Sequence, residues 1–160
     1  MSDATDQIRN LIHGYSEAVD TGDFDKLTEL FEHARFRQAL TGGEPTAGRQ
    51  GAEVTAMFNE NILVYQDGTP RTRHVVTNSI IDVDEASGTA TARSYNTTLQ
   101  QVPGHPIEII ATARYEDRFE RVGTTWRFAD RIVRHSSIDG VNRDFIGDMS
   151  RHTRSQPARA

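Results

Sequence analysis

Four long runs rich in β-branched and aromatic residues follow one another through the second half of the chain: 72–83, 89–101, 107–122 and 125–135. Residues of these types suit the pleated, half-buried surface of a strand. The breaks that separate two of the pairs, Asp84-Glu85-Ala86-Ser87-Gly88 and Val122-Gly123-Thr124, are short and made of turn formers, as hairpin connections are. Long strands in series with short loops predict a curved antiparallel sheet. A sheet of that kind needs a cover for one face, and the first half of the chain has the pattern of one.

Ile8, Leu11, Ile12, Tyr15 and Val19 recur at the three- and four-residue steps of a helix face. Thr5 or Asp6 can cap its start, and Gly22 is suited to end it. A second, shorter helix follows almost at once. Asp23 is placed to be its N-cap, and Phe24, Leu27, Leu30 and Phe31 form its buried stripe. Residues 34–40 alternate as a first strand does, and Thr41-Gly42-Gly43-Glu44-Pro45 reads as a loop. A third helix is predicted from near Gln50, with Val54, Met57, Phe58, Ile62 and Tyr65 on its apolar face and Asp67-Gly68-Thr69-Pro70 at its end. The order is helix, helix, strand, helix, then four strands: an α+β chain with three helices over one face of the sheet. Curled strongly enough, such a sheet is a cone with a cavity inside, a natural small-molecule site. The cone is expected to be one domain over 1–136, with a C-terminal extension over 137–160 that is loose from about Ser150.

Composition narrows the function classes. At 160 residues there is room for one domain only. Lys+Arg 18 against Asp+Glu 23 gives a net charge of −5, the wrong sign for a nucleic-acid binder. The absence of cysteine removes disulfides, thiol nucleophiles and thiolate metal sites together. No apolar run reaches the roughly 20 residues that span a bilayer, and the acidic start lacks the basic and apolar regions of a secretion signal. A cytoplasmic protein without membrane contact is the expectation. None of the six histidines falls into metal-ligand spacing, and no phosphate-loop, dinucleotide or nucleophile-elbow pattern occurs. Neither a metal site nor a cofactor is expected.

The chemistry must therefore come from side chains in the cone. Period-two alternation puts His74, Val76, Asn78 and Ile80 on one face of their strand. A lone inward histidine is a satisfied core residue, or a general base if a carboxylate fixes its tautomer. Asp20, one position past the end of the first helix's apolar stripe, is either that carboxylate or a cap for the second helix. Tyr15 lies within the stripe, as core or as a phenol donor. Asn96 shares a face with Ser94 and suits substrate orientation; Tyr115, Asp117 and Phe119 share a face of the fourth strand. Trp126, Phe128, Asp130, Ile132 and Arg134 read as one face of the last strand. Arg134 there either binds an acidic substrate group or pairs with Asp130 or Asp117.

The segment Tyr15-Ser-Glu-Ala-Val-Asp20-Thr-Gly-Asp23-Phe24 resembles the opening of SnoaL-like proteins of the nuclear transport factor 2-like superfamily. So do residues 72–78, the Arg114-Tyr115-Glu116-Asp117-Arg118-Phe119 run and residues 126–131. The likeness spans about residues 6–136 and implies a cone-shaped α+β barrel. Within the superfamily the chain is most similar to the branch containing scytalone dehydratase and bile-acid 7α-dehydratase, which use a His–Asp pair and tyrosines in the cone and no metal. The resemblance implies that His74 and Asp20 are that pair and that Tyr15 is a helix tyrosine of the site. Asn96 stands where those enzymes have a second histidine or an aspartate.

These readings together predict a cofactor-independent lyase of dehydratase type, or an isomerase, acting on a cyclic carbonyl compound of steroid, polyketide or terpenoid kind. His74, Asp20 and Tyr15 would be catalytic, and Asn96, Tyr115, Arg134 and Phe58 would contact substrate. The alternative is a non-catalytic ligand-binding cone or the small subunit of a larger enzyme. The outer sheet face, with Val75, Thr77, Arg93, Tyr95, Thr97, Arg114 and Arg118, predicts a homo-oligomer, a dimer ahead of a trimer.

Overall fold

A computed structural model describes residues 3–136; the expected C-terminal extension lies outside them. Three helices, α1 (Ala4–Thr21), α2 (Asp25–Leu30) and α3 (Ala52–Asn61), are combined with five strands, β1 (Arg35–Leu40), β2 (Thr72–Asp84), β3 (Thr89–Gln100), β4 (Glu108–Val122) and β5 (Thr125–His135). The strands form one curved, unclosed sheet in the order β1-β5-β4-β3-β2. All neighbours are antiparallel except β1, which lies parallel to β5.

Helix α1 is capped by the Asp3 carboxylate, which accepts from the Asp6 N–H at 2.8 Å, two residues before Thr5 and three before Asp6, the caps that the sequence pattern indicates. It buries Ile8, Ile12, Tyr15 and Val19 against the sheet and ends at Gly22, whose φ is +75°. Helix α2 begins after Asp23, but no side chain caps it; Asp23 contributes its backbone carbonyl, which accepts from the Lys26 N–H. The Thr55 hydroxyl donates to the Phe24 carbonyl at 2.6 Å and lies 2.7 Å from the Thr28 hydroxyl, tying α3 to α2. Helix α3 stops at Asn61 because Ile62 is already extended. Tyr65 thus lies in the following turn, closed by its N–H and the Thr69 carbonyl.

The covered face of the sheet carries Ala90, Ala92, Ser94, Asn96 and Thr98 from β3, and Ala111, Ala113, Tyr115, Asp117 and Phe119 from β4, all buried. The register shifts at three places, one between Thr98 and Leu99 of β3 and two that change which residues of β2 and β5 join them. On β2 the register shifts between Thr77 and Ile80, around Asn78 at φ +54°. On β5 it shifts opposite Arg118/Phe119, which face Asp130 and Phe128 and leave Ala129 unpaired. Each extra residue reverses the alternation beyond it. Ile80 is consequently 47% exposed and Ile81 and Val83 pack inward. On β5, Trp126 and Phe128 face the helices, but so do Arg131 and Val133; Asp130, Ile132 and Arg134 turn to the other side. The reading of residues 126–134 as a single unbroken face is corrected by this bulge.

Gly22 is held where no other residue fits. A Cβ there would lie 2.1 Å from the Gly68 carbonyl oxygen, a backbone atom, on top of the cost of a left-handed conformation. Gly22→Val is expected to lower the unfolding free energy by at least about 2 kcal/mol, measured by urea denaturation.

Candidate functional site

Asp20 is the last inward residue of α1, and β2 begins beside it. Its Oδ1 accepts from the Thr72 hydroxyl at 2.7 Å and lies 2.6 Å from His74 Nδ1; its Oδ2 accepts from the His74 N–H at 2.8 Å. The three donors come from one strand end, so the carboxylate joins α1 to β2 and caps no helix. Burial disfavours its charge, but the His74 ring, the His74 N–H and the Thr72 hydroxyl outweigh this and hold the carboxyl below the usual range. An ionised carboxylate only accepts, so His74 Nδ1 is the donor of this contact, and in the neutral imidazole the lone pair is on Nε2. Both side chains are 11% exposed.

Tyr15, one turn and a residue before Asp20 on α1, brings its ring to 6.5 Å from the His74 ring, edge to face. It also meets Phe36, Phe31, Phe58 and Tyr115 with centroids 5.9–6.3 Å apart. Phe58 is part of this aromatic wall, packed on Phe24 and Phe36 as well. Burial pushes the phenol of Tyr15 well above its ordinary range, and that of Tyr115 likewise. Both are therefore neutral donors at neutral pH. Thr98 sits directly opposite His74 in the sheet, and Asn96 opposite Val76. The Asn96 amide donates to the Thr98 hydroxyl at 2.9 Å, while its Oδ1 is buried without a hydrogen-bond partner among the described residues.

His74, Asp20, Tyr15, Phe58, Tyr115 and Asn96 thus share the covered face. Arg134 does not. It stands on the outer face, where its Nε donates to Glu116 at 3.0 Å and Nη1 to the Gly43 carbonyl. The partners considered for it are taken elsewhere: Asp130 by Arg37 and Asp117 by Arg131.

Arg131 is the residue that alternation missed. Fully buried, it makes two 2.7 Å bonds to Asp117. Its guanidinium carbon lies 4.4 Å from the Tyr15 ring centre, 4.3 Å from that of Tyr115 and 4.8 Å from that of Phe128. The cation therefore seats both phenols. The alternation of residues 126–134 points it outward, and only the unpaired Ala129 brings it in. Thr72 was within reach of the sequence pattern, since it alternates with His74. Among the described residues no group of three or more His, Cys, Asp or Glu could hold a metal ion, and no helix is long and apolar enough to cross a membrane.

Residues 1–132 match the family described as a SnoaL-like domain. No curated protein sequence matches the chain. Among solved structures it is similar to the Mycobacterium tuberculosis protein Rv3472, of unknown function (TM-score 0.66, 22% identity, covering 90% of this chain and 74% of that one). It is also similar to a provisionally assigned scytalone dehydratase from Novosphingobium aromaticivorans (0.60, 21%, 86% and 91%). A third likeness is to the beta subunit of a provisionally assigned aromatic-ring-hydroxylating dioxygenase from the same organism (0.66, 17%, 84% and 90%). At these identities the likenesses show the fold.

The buried pair gives the site its stability test. Arg131→Met alone strands the Asp117 carboxylate and is expected to cost about 3–5 kcal/mol. The double variant Arg131→Met/Asp117→Leu is expected to be more stable than Arg131→Met alone, in urea denaturation of all three chains.

Proposed function

The chain belongs to the SnoaL-like domain family, with the NTF2-like fold, and on that premise we infer that it is a metal- and cofactor-independent hydro-lyase or isomerase for a cyclic carbonyl compound. The observation that carries this reading is the Asp20–His74 hydrogen bond, set beside two neutral phenols on the covered face of the sheet. His74 Nε2 takes the proton from the carbon next to the carbonyl. The electron pair of that bond moves to the carbonyl oxygen, and the resulting imidazolium is balanced by Asp20. Tyr15 and Tyr115, positioned on Arg131, and the Asn96 amide are the donors available to the enolate oxygen. Re-formation of the carbonyl then expels a β-hydroxyl, which leaves as water with a proton returned by His74. In an isomerase the same proton is returned to another carbon. Phe58 and Phe36 give the ring system an apolar wall.

Likeness to a dioxygenase beta subunit favours a second reading, a cone that binds or assembles without turnover. Exchange of the α-protons of 1-indanone into D2O, followed by NMR, separates the two. Turnover is expected in the unmodified chain and a drop of about 10²–10⁴-fold in His74→Ala and Asp20→Asn at unchanged circular dichroism. Binding without exchange would leave the non-catalytic reading in its place.

The outer face supports self-association. Thr77, Tyr95 and Arg114 lie in one row across β2, β3 and β4, and Val75, Tyr95 and Ile109 are 42%, 56% and 50% exposed. A second copy of the chain covers this patch in the proposed dimer. Tyr95→Arg is expected to weaken the dimer by about 2 kcal/mol, some 30-fold in Kd, measured by light scattering across a dilution series.

A further inference from the structure

His135 ends β5 at the far side of the covered face from His74. Its ring takes no part in the chemistry assigned above. It is paired with Ala113 of β4, and Ala113 with Asn96 of β3, so Asn96, Ala113 and His135 form one row across three adjacent strands. Paired residues of a sheet project to the same side, and alternation from Arg131 and Val133 puts His135 on the side of the helices. Asn96 is 4% exposed and Ala113 4% exposed.

Two polar atoms in this row lack what a buried polar atom requires. Asn96 Oδ1 and His135 Nδ1 are both enclosed and neither has a hydrogen-bond partner among the described residues. Six such atoms occur among the described side chains, and these two share a row of the sheet; each leaves a desolvation cost that a ligand can relieve. Asn96 and His135 stand two strand spacings apart, about 9.5 Å between Cα atoms. Between them Ala113 offers only a methyl group, and the sheet is curved so that side chains on its hollow side converge. Burial lowers the basicity of His135, so its imidazole is neutral at neutral pH.

We propose that Asn96 and His135 form a hydroxyl-binding subsite over Ala113, so that the ligand carries an alcohol in addition to the carbonyl group handled by His74. Asn96 Oδ1 is an acceptor and requires an O–H or N–H. His135 with its proton on Nδ1 is a donor and requires an oxygen lone pair. A single alcohol oxygen satisfies both, whereas a second carbonyl satisfies His135 only and an ammonium Asn96 only. The subsite deepens the reading of the preceding section, on which it rests.

The test compares 1-indanone with 3-hydroxy-1-indanone, a matched pair that differs by one alcohol. Affinities are measured by NMR titration, with the imidazole signals of His135 as a local probe. The expected result is about tenfold tighter binding of the alcohol by the unmodified chain, with the His135 signals shifted by the alcohol and not by the ketone. His135→Phe and Asn96→Leu are expected to bring the alcohol down to the affinity of the ketone. His135→Asn, whose amide stands where Nδ1 does, is expected to keep part of the preference. Equal affinities in the unmodified chain, or no measurable binding of either compound at millimolar concentration, overturn the subsite. Its failure is distinct from that of the acid–base reading. Preference without α-proton exchange removes the acid–base reading alone, and exchange without preference removes the subsite alone.

Discussion

Arg131 carries its charge where no water reaches it, and much of the covered face of the sheet is arranged to make that tolerable. An ion so placed costs far more than the fold's net stability unless it is paired and enclosed by polarisable neighbours. Asp117, directly opposite on β4, provides the two hydrogen bonds, and Tyr15, Tyr115 and Phe128 provide ring faces at 4.3–4.8 Å. Two of these rings belong to strands, but Tyr15 belongs to α1. The cation thereby sets how the first helix lies on the sheet, as well as joining neighbouring strands.

That seating has consequences five residues further along the same helix, about 7.5 Å along its axis. Asp20 meets Thr72 and His74 at the start of β2, so α1 is fixed at two points, by Arg131 at Tyr15 and by three donors at Asp20. Gly22 then turns the chain away at a position where Gly68, on the approach to β2, comes too close for any side chain. The His–Asp pair is therefore not a local arrangement of two residues. It is the contact between a helix end and a strand start whose separation is set by a rigid rod anchored elsewhere.

Much of this was legible in the sequence wherever a periodic stretch ran unbroken from its apolar residues to the polar one in question. Asp20 follows Val19 on an uninterrupted helix. His74 lies on the regular part of β2, and Asn96 and Tyr115 lie on the regular parts of β3 and β4. Thr72 obeys the same alternation as His74. The end of α3 was not legible, because Ile62 and Tyr65 continue the helical spacing after the backbone has become extended at Ile62. Apolar spacing reports which residues are buried together, and a turn packed against the same core can imitate another turn of helix.

Arg131, Arg134 and Ile80 were illegible for a different reason, and it is tied to what the sheet must do. A sheet that is to surround a site has to bend, and an inserted residue is a means of bending a strand. The same insertion reverses every side chain that follows it. On β2 the change falls at Asn78, a residue type that tolerates the positive φ it adopts there. It sends Ile80 out and brings Ile81 and Val83 in. On β5 it falls at Ala129, with no sequence mark at all, and it exchanges Arg134 for Arg131 as the inward cation. His135 follows the same reversal, and this is what carries its imidazole to the row of Asn96. A straight β5 would have put Arg134 on the covered face and Arg131 and His135 outside it. The feature suited to making the sheet hollow is thus also the one that decides which charge the hollow contains, and neither can be read from alternation alone.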